Sequence, residues 1–169
     1  MGYSAKHIAN YFLDNHARTG ITHLKIQKLT YLSHGMNYVH RDNDLINDEY
    51  AEAWKYGPVF PSLYEEFKSR GKQPIMKLAT ELNAEMFWEK RKIKFDTPKI
   101  KDGDDYTRNL LGEVWQKYGS KNGQQLSALT HQEGSPWYQT RVKTHGARNA
   151  NIDNKLIKAH FKKMADLIF

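Results

Sequence analysis

Two short segments of this 169-residue chain bring together side chains that could carry out chemistry. Residues 130–137 hold His131 and Glu133 where a helical pattern breaks at Gly-Ser-Pro. Residues 52–61 hold Glu52 among Trp, Tyr and Phe rings and two prolines. A histidine beside a carboxylate can transfer protons or hold a metal ion, whereas aromatic rings beside polar groups are typical of binding surfaces.

The spacing of these residues does not favour metal or catalytic chemistry. A catalytic zinc site needs three protein ligands, and the sequence has no His-Glu-x-x-His pair. His131 and Glu133 are two residues apart, so on a continuing helix they would point to different faces. The glycine-rich phosphate loop and the Gly-x-Ser-x-Gly turn of hydrolases are also missing from the sequence. We therefore predict a non-enzymatic protein with no metal site and no cofactor. General acid–base catalysis by Glu52 or Glu133 stays open, because paired carboxylates need no motif.

Length and composition favour one domain over residues 1–169, located in the cytoplasm. The chain has no cysteine, which excludes disulfides, thiolate metal sites and cysteine nucleophiles. No apolar run approaches the roughly 18 residues of a membrane span. The first residues lack the charged and apolar regions of a secretory signal, so we expect neither export nor membrane insertion.

The positive charge of the chain is concentrated in its second half. Lys and Arg total 26 against 19 Asp and Glu, which gives a net charge of +7. Residues 1–85 hold ten of each sign, whereas residues 86–169 hold 16 basic and 9 acidic residues. This asymmetry indicates an acidic partner or a solvated basic surface. The candidate basic surface comprises Lys90, Arg91, Lys92, Lys94, Arg141, Lys143, Lys155, Lys158 and Lys162.

Nucleic-acid binding is the alternative function that this charge suggests. Six to ten phosphate contacts would give an affinity that falls steeply with salt. However, the sequence has no recognisable helix-turn-helix or RNA-binding signature. A row of lysines on an amphipathic helix is also the usual solvated face of such a helix.

Hydrophobic periodicity predicts a mainly α, compact single-domain bundle of about six to seven helices with a small β-ribbon. We expect seven helices: one capped by Ser4 with its apolar stripe reaching Leu13, one capped by Thr22 and running to about Val39, one from Pro61 that ends before Gly71, one at residues 80–90, one from Asp105 to Tyr118, one from Ser120 that ends at 131–134, and one after the Asp153 cap with its stripe reaching Ile168. Gly35 lies inside the second helix, where we expect it to permit close packing of a neighbour. The β-ribbon would pair Tyr50–Trp54 with Lys92–Phe95, where apolar and basic residues alternate.

Ordered sequence blocks resemble a known family. They lie at residues 8–13, 21–31, 52–64, 114–119, 125–127 and 129–137. In this order and spacing they are similar to the Panacea antitoxin domain family, which is SocA-like and includes phage-associated GepA-type proteins. The segment at about 72–105 is long, basic and aromatic, and diverges from the short connection usual in the family.

The resemblance implies a mostly helical cytoplasmic domain that neutralises a protein toxin encoded by an adjacent gene, by direct binding and in a phage or mobile-element context. It also implies a link to a cellular protease in some members, and no cofactor or catalytic set. The residues expected to bind the partner or to form a motif network are Lys25, Gln27, Lys28, Glu52, Trp54, Tyr56, Pro58, His131, Glu133 and Trp137. Within that network, Glu52 or Glu133 would orient His131 and so fix the turn that presents Trp137.

Overall fold

Helix α2, His23–His40, occupies the centre of the fold and packs against α1, α3, α5, α6 and α8. Thr22 begins it, because its hydroxyl accepts a hydrogen bond from the backbone N–H of Lys25. Residues on every face of α2 are buried, which is typical of a helix surrounded by others. Its buried residues include the polar side chains of Gln27 and Lys28, which point to a role beyond packing.

The computed structural model describes residues 2–167 and confirms the predicted mainly helical fold with a small β component. Its helices are α1 Ala5–His16, α2 His23–His40, α3 Pro61–Phe67, α4 Ala84–Trp88, α5 Asp105–Tyr118, α6 Gly123–Thr130, α7 Pro136–Lys143 and α8 Asn154–Asp166. The apolar core draws on most of these helices, with Ile8, Phe12, Leu29, Leu63, Leu111, Leu126 and Ile157 fully enclosed.

Side-chain caps set the starts of α1, α2, α5 and α8, and these four starts agree with the prediction. Ser4 forms a reciprocal capping box with His7, and Asp153 caps α8. Helix α6 begins after Asn122 rather than at Ser120, because the Asn122 side chain accepts from the N–H three residues on. Helix α7 was not predicted as a separate helix. Residue Ile168 of the predicted last helix lies outside the described residues.

The predicted pairing of Tyr50–Trp54 with Lys92–Phe95 is wrong. Strand β1, Glu52–Trp54, pairs antiparallel with β2, Gly57–Val59, across a two-residue turn. A local hairpin closes a far shorter loop than a pairing across about forty residues, so its entropic cost is lower. Strand β4, Phe95–Asp96, pairs instead with β3, Glu81–Leu82. That strand and the Asn83 cap take the place of the first residues of the helix predicted at 80–90.

The predicted close approach at Gly35 is confirmed. A Cβ on Gly35 would lie 2.2 Å from a ring carbon of Phe161, which is well inside van der Waals contact. The glycine therefore lets α8 lie directly against α2, and Phe161 stacks edge-on against Tyr31.

Candidate functional site

The β1–β2 hairpin is fastened to α2 by two neighbouring side chains. The amide of Gln27 accepts from the backbone N–H of Phe60 at 2.8 Å and donates to its carbonyl at 3.1 Å. Lys28 Nζ donates to the carbonyl of Pro58 at 2.8 Å. These three bonds satisfy the backbone groups on the outer edge of β2 and the residue after it.

Side chains from α6 and α7 hold the rest of the hairpin. Ser127 Oγ donates to the carbonyl of Tyr56, and Trp137 Nε1 donates to the carbonyl of Trp54 at 2.6 Å. Arg141 donates to the carbonyl of Ala53 at 3.3 Å.

The outer edge of β1 is covered as well, since residues 150–152 exchange backbone hydrogen bonds with Ala51 and Ala53. The structure thus brings together six of the predicted network residues: Gln27, Lys28, Trp54, Tyr56, Pro58 and Trp137.

Lys28 is fully buried, and its ammonium group has no carboxylate partner among the described residues. Burial lowers the pKa of Lys28 from its usual 10.5 to about 7, because removal from water disfavours the charged form. Gly57 makes room for this side chain: a Cβ there would lie 2.9 Å from Lys28 Cε. A buried charge held only by a carbonyl is costly, so stability alone does not explain this lysine.

We predicted that a carboxylate would orient His131, but its Nδ1 atom has no such partner. This nitrogen is buried without a hydrogen bond to any of residues 2–167. The ring of His131 instead packs against Trp137 with centroids 5.1 Å apart. Glu52 accepts from the indole N–H of Trp54 at 2.5 Å, and Glu133 is exposed. Packing therefore positions the histidine ring at this turn.

Lys25 lies apart from the hairpin network. Its ammonium donates to the carbonyl of Gly119 at 2.6 Å and lies 5.0 Å from the ring centroid of Trp115. Lys25 thereby caps the C-terminal end of α5, where a positive charge is favourable.

A cleft of about 980 Å³ opens between α2 and the hairpin. One face of α2 forms its floor, and the hairpin turn, α3 and the loop after it, α6, α7 and the loop before α8 complete the wall. We call it the basic cleft; its lining is His23, Leu24, Gln27, Lys28, Trp54, Lys55, Tyr56, Val59, Tyr64, Gly71, Lys72, Gln124, Arg141 and Arg148. Five of these residues are lysines or arginines, and none is Asp or Glu.

The charges of the basic cleft are not neutralised within the described part of the chain. Lys28 and Arg141 bond only to backbone carbonyls, and Lys55, Lys72 and Arg148 form no ion pair. Elsewhere in the same residues, lysines such as Lys6, Lys158 and Lys162 do pair with carboxylates. Burial and the charge of Lys28 lower the pKa of His23 to about 4, which leaves its ring neutral at pH 7.

The sequence alone did not identify His23, Lys55, Tyr64 or Lys72 as site residues. A signal was present for the first of these. His23, Leu24, Gln27 and Lys28 are spaced i, i+1, i+4 and i+5, which places them on one helix face. For the loop residues Lys72 and Arg148 the sequence offers no such periodicity.

The candidate basic surface is divided among different parts of the fold. Arg141 lines the basic cleft, whereas Lys158 and Lys162 both pair with Asp42. The group of Lys90, Arg91, Lys92 and Lys94 belongs to the segment between α4 and β4. The nucleic-acid alternative would therefore have to draw on basic groups from separate parts of the fold.

Residues 81–96, comprising β3, α4 and β4, form what we call the projecting segment. None of residues 84–96 is buried. Leu82 and Phe95 are cross-strand partners, yet they are 46% and 60% exposed, and Trp88 and Ile93 are 70% and 74% exposed. Soluble proteins rarely expose so many large apolar side chains together unless they contact a partner.

Asn10 holds the base of the projecting segment. This buried side chain on α1 donates to the carbonyls of Ala79 and Pro98 and accepts from the N–H of Ala79. Lys6 and Ser4 add bonds to Thr80 and Glu81. The two ends of the segment are thus tied to α1, while its apolar side chains remain in solvent.

Metal binding or membrane insertion would require particular arrangements of side chains within residues 2–167. No group of three or more His, Asp or Glu side chains is placed to hold a metal ion over this range. None of the helices described in it has the length and apolar character needed to cross a bilayer.

Comparisons with known proteins give a consistent result. The family model described as "Antitoxin SocA-like, Panacea domain" matches residues 26–138. Antitoxin SocA of Caulobacter vibrioides (strain NA1000 / CB15N) is 30% identical over 162 residues, covering 94% of this chain and 82% of that protein. No solved structure matches the chain. The family-model match includes both the projecting segment and most of the basic cleft.

Proposed function

The chain belongs to the SocA-like antitoxin family with a Panacea domain, and on that premise we propose that it neutralises a protein toxin by binding it directly. The toxin would be encoded by an adjacent gene, in a phage or mobile-element context, and the binding would take place in the cytoplasm. The proposal needs no catalytic residue or cofactor of the chain itself. Participation of a cellular protease remains a prediction from the family resemblance.

The observation that carries direct binding is the exposed apolar surface of the projecting segment. Trp88, Ile93 and Phe95 present their side chains to solvent on a segment that has no buried residue between 84 and 96. Large exposed aromatic and aliphatic side chains become interface hot spots when a partner removes them from water. Each such side chain contributes roughly 1.5–3 kcal/mol when fully buried.

The charge around this surface indicates what the toxin presents. Lys90, Arg91 and Lys92 lie two to four residues after Trp88, and all three are exposed without an ion pair among the described residues. Glu85 and Glu89 lie nearby, so the basic excess is modest. We therefore expect the toxin surface to be apolar at its centre with acidic residues at its rim, which would also speed association at low salt.

Growth rescue tests the antitoxin role. Each adjacent gene product is expressed alone and then together with this protein, and colony formation is scored. We expect one neighbour to be toxic and co-expression to restore growth. If none is toxic, the antitoxin proposal fails for this chain. Nucleic-acid binding, measured over a salt series, is then the function to examine.

Purified variants test the surface. We expect Trp88→Ala combined with Phe95→Ala to abolish co-purification with the toxin while the melting temperature stays within a few degrees of wild type. Val142→Ala is the matched control, because Val142 is also exposed, at 58%, but lies on α7. Rescue by the double variant at wild-type levels would place the interface elsewhere.

A further inference from the structure

We propose that the basic cleft is a binding site for a nucleoside phosphate, with its unpaired lysines and arginines holding the phosphates and its aromatic rings contacting the base. The site is distinct from the projecting segment. It therefore does not depend on how, or whether, a toxin is bound there.

The positive charge of the cleft favours binding of an anion. Five basic side chains line one concavity without an Asp or Glu in its wall. Lys55, Lys72 and Arg148 have no ion-pair partner among residues 2–167, whereas Lys6, Lys68 and Lys158 elsewhere in the fold each pair with a carboxylate. Like charges gathered in a low-dielectric concavity repel one another and focus a positive potential into it. A bound polyanion removes this repulsion.

The floor of the cleft strengthens this reasoning. Lys28 is buried beneath the surface with Nζ bonded to one carbonyl oxygen, so two of its three N–H donors have no acceptor among the described residues. When Lys28 is protonated, its charge is poorly screened there, because burial keeps water away. An anion above Lys28 would gain attraction that no solvent-exposed lysine supplies.

Aromatic side chains indicate that the ligand has a ring as well as a charge. Trp54 packs against Tyr64 with centroids 4.7 Å apart, and the Arg148 guanidinium lies 6.0 Å from the Trp54 ring centroid. Tyr56, at the hairpin turn, is 62% exposed beside Lys55. Aromatic rings beside basic groups are the usual means of binding a base together with its phosphates without sequence readout.

Size and hydrogen bonding favour a small molecule over a peptide strand. At about 980 Å³ the cleft lies at the upper end of small-molecule sites and far exceeds a lone phosphate. Both edges of the hairpin are already occupied, by residues 150–152 on β1 and by Gln27 and Lys28 on the side of β2. Among the described strands that border this cleft, a peptide would therefore find no free edge to extend. With both hairpin edges occupied, the basic and aromatic side chains of the cleft are the groups that suit a nucleotide.

Titration calorimetry on the intact chain at about 0.15 M salt tests the site. The probes are ATP, adenosine, tripolyphosphate, inorganic phosphate and a single-stranded DNA of about ten nucleotides. We expect ATP to bind with a Kd below about 1 mM and to raise the melting temperature. Tripolyphosphate should bind at least about tenfold more weakly because it lacks a base, and adenosine should not bind detectably.

Variants locate the binding. Lys72→Gln with Arg148→Gln should weaken ATP binding at least about tenfold, and neither side chain makes a hydrogen bond to another of residues 2–167. Lys143→Gln with Lys155→Gln removes the same charge from outside the cleft and should change ATP affinity less than about twofold. Tyr56→Ala should weaken ATP while leaving tripolyphosphate unaffected.

Four results would overturn the proposal. Absence of ATP binding would do so directly. If tripolyphosphate bound with the same affinity as ATP, the cleft would be a general anion site. DNA binding without ATP binding would point to a nucleic-acid surface. Equal weakening by both double variants would mean that ATP responds to net charge rather than to the cleft.

Discussion

Lys28 Nζ donates a hydrogen bond to the carbonyl oxygen of Pro58 at 2.8 Å, and this is the ammonium's only hydrogen bond among residues 2–167. The bond ties the centre of α2 to the β1–β2 hairpin and leaves a lysine where an apolar side chain would be less costly to bury. A costly group at the floor of a cleft is more readily explained by binding than by folding.

The buried ammonium makes stability depend on pH. The pKa of Lys28 falls from its usual 10.5 to about 7 on folding. Between these values the unfolded chain binds more protons than the folded one, so the free energy of unfolding rises with pH, by up to about 1.4 kcal/mol per unit. Below about pH 7 both states are protonated and the full cost of burial is present. Urea unfolding of wild type at about pH 6, 7.5 and 9 measures this slope.

Lys28→Met should remove that slope, because Met fills a similar volume without a charge. We expect it to be at least as stable as wild type at neutral pH. Lys55→Met is the control, since Lys55 is exposed and should leave the slope unchanged. If the free energy of unfolding of Lys28→Met rose with pH as steeply as that of wild type, Lys28 would not be the group that titrates.

Gly57 should not tolerate a side chain. Its φ is +107°, and a Cβ would lie 2.9 Å from Lys28 Cε and 3.1 Å from Thr130 Oγ1. We expect Gly57→Ala to lower the free energy of unfolding by about 1–3 kcal/mol from backbone strain, with a further loss from the contact. Gly134→Ala is the control, because Gly134 also has a positive φ, +81°, but faces open space. Equal losses would exclude a contribution from Lys28.

Sequence reasoning was most successful where local signals act alone. The bounds predicted for α5 match the structure, because Asp104 caps it and its apolar stripe has helical spacing. It was wrong about the sheet, since alternation near Phe95 identifies a strand but not its partner, which depends on loop closure. Helix α7 was missed because only Pro136 and Thr140 of its eight residues are buried, which gives no apolar stripe.

The candidate site was predictable only in part. Gln27, Trp54 and Trp137 emerged from the family resemblance, and the structure brings all three to one hairpin. The basic cleft did not emerge, because Lys72 and Arg148 reach it from loops whose course no periodicity describes.

Asn10 should control the order of the projecting segment. Asn10→Ala removes three hydrogen bonds and leaves buried carbonyls of Ala79 and Pro98 without their donor. Each unsatisfied group costs roughly 1–3 kcal/mol. We expect a lower melting temperature and faster amide hydrogen exchange over residues 81–96 than elsewhere.

Asn15→Ala provides the comparison for this variant. Asn15 lies near the C-terminal end of the same helix and is exposed, and among residues 2–167 its side chain bonds only to the carbonyl of Tyr11. It should leave exchange in residues 81–96 unchanged. Uniformly faster exchange in Asn10→Ala would mean that Asn10 supports the whole fold rather than the base of this segment.

The ring of His131, rather than its Nδ1 atom, should determine the turn before α7. The ring packs on Trp137, whose indole holds the hairpin through Trp54. His131→Ala should therefore lower the free energy of unfolding, by about 1–2 kcal/mol, and should weaken toxin binding in parallel. Loss of binding at unchanged stability would instead place His131 in the interface.

His131→Phe separates packing from hydrogen bonding at this position. Phe keeps a ring against Trp137 and removes a buried nitrogen that has no partner among the described residues. Because that nitrogen contributes desolvation cost without a bond, we expect His131→Phe to be as stable as wild type. Denaturant unfolding of the wild type and the two variants measures the difference. If Phe were as destabilising as Ala, a hydrogen bond to the imidazole, through an ordered water for instance, would be what fixes the turn.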